Sequence, residues 1–260
     1  MLRVIFFVQV VLEKTTDLSK TLPIVSIVIT VFNEQDNIPQ VCSELVEALQ
    51  KLPPTEIIFV DDGSTDNTIE VLHQHRHLGL SNLRILVHDR RCGKSTALRT
   101  GITAARGEWI ATLDGDAQDD PRDLPELVKL ACNQPGRPPL VVGIRQKRCD
   151  SLSKRIATRF ANNLRQYLLQ DHCPDTGGPI KVFRRVDFLR LPQFEGVHRY
   201  LPALFATYGV PLLCCTVTHR PRLYGVSKYT NFHRALVGVR DLLGVLWLRN
   251  RTHLPHIREC

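Results

Sequence analysis

The feature that most limits the folds open to this chain is an alternation of short β-branched runs with amphipathic stretches across its first 144 residues. Ile24–Thr30 (IVSIVIT), Glu56–Val60 (EIIFV), Leu83–Val87, Trp109–Leu113 and Leu140–Ile144 are short and largely apolar, as strands covered on both faces must be. Helical patterns lie between them. Asn37–Leu52 sets Ile38, Val41, Leu45, Val46, Leu49 and Leu52 on one face and is stopped by Pro53-Pro54. Thr65–His77, Gly93–Ala105 (closed by Gly107) and Leu124–Cys132 follow. The alternation predicts an α/β fold with a mostly parallel, Rossmann-like sheet flanked by helices. Such sheets bind ligands beyond the carboxyl ends of their strands. Polar clusters stand there: Asn33-Glu34 after the first strand, Asp61-Asp62 after the second, Asp114-Gly115-Asp116 after the fourth.

Beyond residue 150 the pattern loosens. Ser153–Leu169 reads as a basic amphipathic helix, Ile180–Phe183 and Leu212–Thr218 as strands, and Asn231–Arg249 as a final helix rich in Leu and Val. Charge divides in the same way. Residues 1–144 hold 14 Lys/Arg against 19 Asp/Glu, net −5; residues 145–260 hold 20 against 7, net +13. That split suits a cation site first and a phosphate or membrane surface second. At 43% hydrophobic and 23% charged, the composition excludes a disordered or collagen-like chain. The basic half has no interleaved aromatic ladder, so nucleic acid is not an expected partner.

The eight cysteines form no C-x-x-C pair and read as free thiols of a reducing compartment. Met1–Leu12 is apolar, but Glu13–Asp17 offers no cleavage site for a signal peptide. No apolar run reaches the roughly 20 residues that span a bilayer. Residues 1–22 are expected to form a poorly ordered leader in weak contact with a membrane surface.

Two carboxylates one residue apart just beyond a strand can reach one hard cation from the same side. Asp114 and Asp116 have that spacing, and Gln118 can add an amide oxygen, a set suited to Mg²⁺ or Mn²⁺. A solvated acidic loop capping the helix from Leu124 is the competing reading, since Asp119, Asp120 and Asp123 follow closely. Three other sites are excluded on residue identity. An EF-hand needs Gly and Glu where Asp119 and Pro125 stand; a P-loop needs Gly where His88 stands; a dinucleotide fingerprint needs glycines where Phe32-Asn33-Glu34 stands. Asp61-Asp62-Gly63-Ser64 reads equally as a ligand site or as a turn with a helix cap. His73, His75 and His77 read as exposed helix-end residues, and Lys154-Arg155 and Arg184-Arg185 as basic surface.

V-S-I-V-I-T-V-F-N-E, V-D-D-G-S-T-D-N-T, G-K-S-T-A-L-R-T-G and D-G-D-A-Q-D-D-P follow one another in this order. Together they resemble a family 2 glycosyltransferase of GT-A fold. D-T-G-G from Asp175, K-V-F-R-R from Lys181 and H-R-P-R-L-Y-G-V-S-K-Y from His219 resemble its polyprenyl-phosphate branch, typified by dolichol-phosphate mannosyltransferase. The resemblance covers residues 23–250. It implies that Asp61 and Asp62 hold the base and ribose of a nucleotide-sugar, with Phe32, Glu34, Lys94 and Asp114 in the donor pocket. It implies that Asp114, Asp116 and Gln118 hold Mg²⁺ or Mn²⁺, with Asp116 and Arg222 catalytic. It gives Arg145, Arg148, Ser227 and Lys228 to the acceptor phosphate; the role of His219 stays open.

The implied activity is inverting transfer of a hexose from a GDP- or UDP-sugar to a polyprenyl (dolichyl or undecaprenyl) phosphate. The alternative is a family 2 enzyme acting on a polysaccharide; neither Trp109 nor Trp247 follows an Arg, as the Q-x-x-R-W motif of processive members requires. Pro179 departs from the family pattern and is expected to reshape the acceptor-side loop, since it fixes φ and removes a donor. The organisation expected is a leader (1–22), a GT-A domain (23–230) and an amphipathic membrane-surface helix with its tail (231–260). The chain is then peripheral on the cytoplasmic side of a membrane, with a membrane-anchoring partner or a homo-oligomer as a further expectation.

Overall fold

The computed structural model describes residues 22–80, 82–145, 163–222 and 231–253. Arg148, Ser227, Lys228 and Lys154-Arg155 lie outside them, as does most of the leader and of Ser153–Leu169. Seven strands form one sheet: β1 Val25–Val31, β2 Thr55–Asp61, β3 Leu83–Val87, β4 Trp109–Asp114, β5 Leu140–Arg145, β6 Lys181–Arg184 and β7 Leu212–Val217, in the order β3-β2-β1-β4-β6-β5-β7. The helices are α1 Ile38–Leu49, α2 Thr68–His77, α3 Lys94–Ala104, α4 Leu124–Cys132, α5 Arg185–Leu189, α6 Leu201–Thr207 and α7 Asn231–Arg251. Residues 163–169 are also helical.

Strand periodicity builds the two layers. Ile27, Ile29, Ile57 and Phe59 pack with Val41 and Leu45 of α1, Leu72 of α2 and Leu127 of α4. Val28, Ile58 and Val60 point the other way, onto Ala97, Leu98 and Ile102 of α3; Phe183, Phe205 and Val245 extend that layer. β6 runs antiparallel to both β4 and β5, so the sheet is mixed rather than uniformly parallel. Its four residues carry no signal of direction.

The helix phase expected for α1 needs one correction. Val46 is exposed, and Glu44 faces inward at 7% exposure. An opposite charge from another element keeps it there, as shown below. On α7, Val245 faces the core while Val239, Leu243 and Trp247 stand outward, about 60% exposed each. Among the described residues no helix is long and apolar enough to cross a membrane, and the six described cysteines are all free.

Candidate active site

A cleft of about 750 Å³ opens at the carboxyl ends of β1, β2 and β4. Strand register explains why the polar clusters meet there. Asp61 pairs with Val31, and Asp114 with Thr30, so three turns leave the sheet at one level. β1 lies between β2 and β4, where the strand order reverses and α/β sheets open a crevice. Phe32, Glu34, Asp62, Lys94, Asp114, Asp116, Gln118, Arg145 and Arg222 all line the cleft.

The Asp114-Gly115-Asp116 turn is built tightly. A Cβ on Gly115 would stand 2.3 Å from Val31 Cγ1, so only glycine fits there. Asp116 Oδ1 accepts the Gln118 amide at 3.2 Å, while Gln118 Nε2 donates to Arg220 O at 3.4 Å. Each carboxylate faces a cation: Lys94 Nζ lies 2.6 Å from Asp114, and Arg222 Nη2 2.5 Å from Asp116. Glu34 Oε1 lies 3.9 Å from the same guanidinium, and its Oε2 accepts from Asn37 at 2.7 Å. Asp114, Asp116 and Gln118 thus offer only oxygen ligands on an open wall of the cleft, a donor set that fits Mg²⁺ or Mn²⁺.

The paired aspartates after β2 part company. The Asp61 carboxylate is fully buried and accepts from Ser64 N at 2.9 Å and from Ser64 Oγ. It shapes the turn, and it does not line the cleft; strand alternation turns it inward on the side of Phe59. Asp62 does line the cleft. It accepts the amides of Cys92 and Gly93 at 2.8 Å each and lies 2.9 Å from His88 Nδ1. The amide of Gly93 is therefore spent on a carboxylate. Asp62, His88 and Cys92 are the one group of three metal-ligating side chains that lies close together among the described residues. His73 and His77, on α2, are exposed.

The acids beyond Gln118 serve the scaffold. Asp120 accepts from Arg122 N at 3.0 Å and caps the turn Pro121–Asp123. Asp123 accepts from Thr218 N at 2.6 Å. Asp119 lies 3.1 Å from His219 Nδ1; burial, and then the nearby Asp114, push its carboxyl up to about 6. These contacts fasten the segment carrying Arg222, and Arg220 completes the clamp. Its guanidinium meets Glu44 at 2.7 and 3.0 Å and Asp120 at 2.8 Å. Arg220→Ala takes one of two arginines from Glu44 and Asp120, since Arg122 stays 2.7 Å from Asp120 and 3.7 Å from Glu44; it is expected to cost about 1–2 kcal/mol in urea unfolding, between an exposed and a fully enclosed pair.

Arg145, expected at the acceptor phosphate, forms a two-pronged pair with Asp175 at 2.7 and 2.9 Å, so a phosphate there would have to compete with a carboxylate. Pro179 O accepts from Thr112 Oγ1 at 2.6 Å, and the buried Lys181 Nζ donates to Gly178 O, which hold this loop on the sheet. Burial, then the neighbouring Lys94, bring the Lys181 ammonium down to about 8 from 10.5. Between these values the unfolded chain binds the proton more tightly, so stability rises with pH through that window. We expect about 2–3 kcal/mol of such rise from pH 8 to 10.5 by chemical denaturation, absent in Lys181→Met.

Sequence reasoning missed four features of this wall. Arg91 stacks on Phe32 at 4.5 Å, Asp175 holds Arg145, Glu44 receives Arg220, and His198 and Arg199 line the cleft. A charged residue at an inward phase of α1 was the one available signal for Glu44.

The family model for glycosyl transferase family 2 matches residues 26–191. The chain belongs to glycosyl transferase family 2. This family 2 chain is 34% identical over 229 residues to dodecaprenyl-phosphate galacturonate synthase of Rhizobium johnstonii, covering 85% of the chain and 66% of that protein. It is 32% identical over 208 residues to undecaprenyl-phosphate 4-deoxy-4-formamido-L-arabinose transferase of Sodalis glossinidius, covering 79% of the chain and 63% of that protein. The chain thus spans somewhat under two thirds of the length of these relatives. Among solved structures it is similar to the mannosyltransferase PcManGT of Pyrobaculum calidifontis, in complex with GDP-Man and Mn²⁺ (21% identity, TM-score 0.61, 91% of this chain and 67% of that one). It is also similar to glucosyl-3-phosphoglycerate synthase of Mycobacterium tuberculosis (19% identity, TM-score 0.64, 90% and 80%). These likenesses show the GT-A fold for the family 2 chain.

Proposed function

We propose that this chain transfers a sugar from a nucleotide-sugar to the phosphate of a polyprenyl phosphate, with a divalent cation and inversion at the anomeric carbon. The observation that carries the reading is the pairing of Asp114 and Asp116 with Lys94 and Arg222 at the mouth of β1 and β4. A site with alternating anionic and cationic groups suits a diphosphate that arrives with a cation. The lipid acceptor is supported by the relatives named for dodecaprenyl and undecaprenyl phosphate.

Asp114, Asp116 and Gln118 would hold the cation, which supplies charge neutralisation to the leaving diphosphate. Lys94 and Arg222 exchange their carboxylate partners for phosphate oxygens. Asp62, Phe32 and Glu34 form the wall for the nucleoside. The acceptor needs no general base, because a phosphate monoester with a second pKa of about 6 is mostly dianionic at neutral pH. One of its oxygens forms the new bond to the anomeric carbon as the bond to the diphosphate breaks, and the electron pair leaves with the nucleoside diphosphate. The protein contributes positioning and electrostatics. Ser227 and Lys228, beyond Arg222, and Arg148 belong to the acceptor phosphate in this reading. The exposed stripe of Val239, Leu243 and Trp247 on α7 is its membrane-facing surface.

Thermal shift with Mn²⁺ and a panel of GDP- and UDP-sugars tests the donor half. One nucleotide at about 100 times its Kd is expected to add about 2.7 kcal/mol, a rise of several degrees. No shift with any nucleotide would remove the donor assignment.

A further inference from the structure

Arg199 stands apart from the other cations of the cleft. Lys94 faces Asp114, Arg145 faces Asp175, and Arg222 faces Asp116, each at 2.5–2.9 Å. Arg91 lies over Phe32. Arg199 also lines the cleft and is half-buried, yet no ion pair among the described residues includes it. Its charge acts on Asp241 of α7, but the two form no ion pair, so the guanidinium keeps its donors for an anion brought by a ligand.

The turn that carries it is pinned on two sides. Ser95, buried next to Lys94, accepts from Gly196 N at 2.9 Å and lies 2.8 Å from His198 Nδ1. On the other side, a Cβ on Gly196 would stand 2.7 Å from Asp241 Oδ2 of α7, and Tyr200 Oη donates to Gly238 O at 2.9 Å. Arg199 is therefore fixed between the helix that aims Lys94 at Asp114 and the helix that carries the outward apolar stripe. His198 continues the wall towards Gly177 and Pro179 of the acceptor-side loop.

We infer that Arg199 receives the phosphate of the lipid acceptor, at the junction of the donor carboxylates and α7; this rests on the lipid-phosphate reading above. A phosphate on a polyprenyl chain that lies along the α7 stripe has to enter the cleft at this junction. The donor diphosphate already has Lys94 and Arg222 in that reading.

The test measures binding without turnover, on the full chain in detergent micelles, by thermal shift and tryptophan fluorescence. The probes are farnesyl phosphate, farnesol, and GDP or UDP with Mn²⁺. Arg199→Gln is expected to weaken farnesyl phosphate binding about 10-fold or more, the loss of one charge-assisted phosphate contact. Arg199→Lys should recover part of it. Nucleoside diphosphate binding should stay within about twofold, and farnesol binding should not change. Unaltered farnesyl phosphate affinity in Arg199→Gln, or a loss that falls on the nucleotide instead, overturns the assignment. A wild-type chain that binds nucleotide but no farnesyl phosphate overturns the lipid-phosphate reading itself.

Discussion

Asp116→Ala is expected to lower sugar transfer by about 10³-fold or more, with the folded state retained. The carboxylate is only partly enclosed and lines the open cleft, with one hydrogen bond from the Gln118 amide and one from Arg222. Its loss therefore does not open the core. It removes one of two anionic oxygen ligands and leaves Arg222 without the partner that aims it. Titration with Mn²⁺ should show weakened binding in the variant, and added Mn²⁺ should recover little activity. Wild-type rates from Asp116→Ala would remove this residue from the reaction.

Arg222→Ala is the second large effect, expected at about 10²-fold in kcat/KM. The guanidinium sits 2.5 Å from Asp116 and 3.9 Å from Glu34, and in the proposed reaction it is the cation that meets the diphosphate. Arg222→Lys should restore only part, since an ammonium offers a point charge where the fork can hold two oxygens. The loss should weaken nucleoside diphosphate binding in parallel, which a fluorescence titration reads directly. Equal nucleotide affinity in wild type and Arg222→Ala would place the arginine elsewhere in the cycle.

The strands of this fold were legible because β-branched runs such as IVSIVIT have one use in a covered sheet, and Gly115 and Gly107 mark the turns between them. Gly107 shows how closely: a Cβ there would meet Ser26 N at 2.8 Å. The placement of Asp114 and Asp116 together in the cleft was legible because two carboxylates one residue apart just beyond a strand leave it on the same side. Asp61 and Asp62 were not separable, since neighbours at a strand end face opposite ways and the sequence does not say which one meets the ligand. Val46 and Glu44 exchanged places because Glu44 is held inward by Arg220, 176 residues away. Arg199 was invisible for another reason: it sits on the short turn Val197–Arg199, which has no periodicity.

The charge split also takes on a structural meaning. Arg220 and Arg222 of the basic half neutralise Glu44, Asp120 and Asp116 of the acidic half. The net charges of −5 and +13 are those of two segments that interlock across the cleft.

The central claim is transfer to a lipid phosphate, and product partition tests it most directly. The full chain is incubated with Mn²⁺, a short-chain polyprenyl phosphate and radiolabelled nucleotide-sugars, then extracted with organic solvent. The account predicts label in the organic phase that depends on the lipid phosphate and is abolished by chelation. Label that stays in the aqueous phase as glycan, with none extracted, would contradict it.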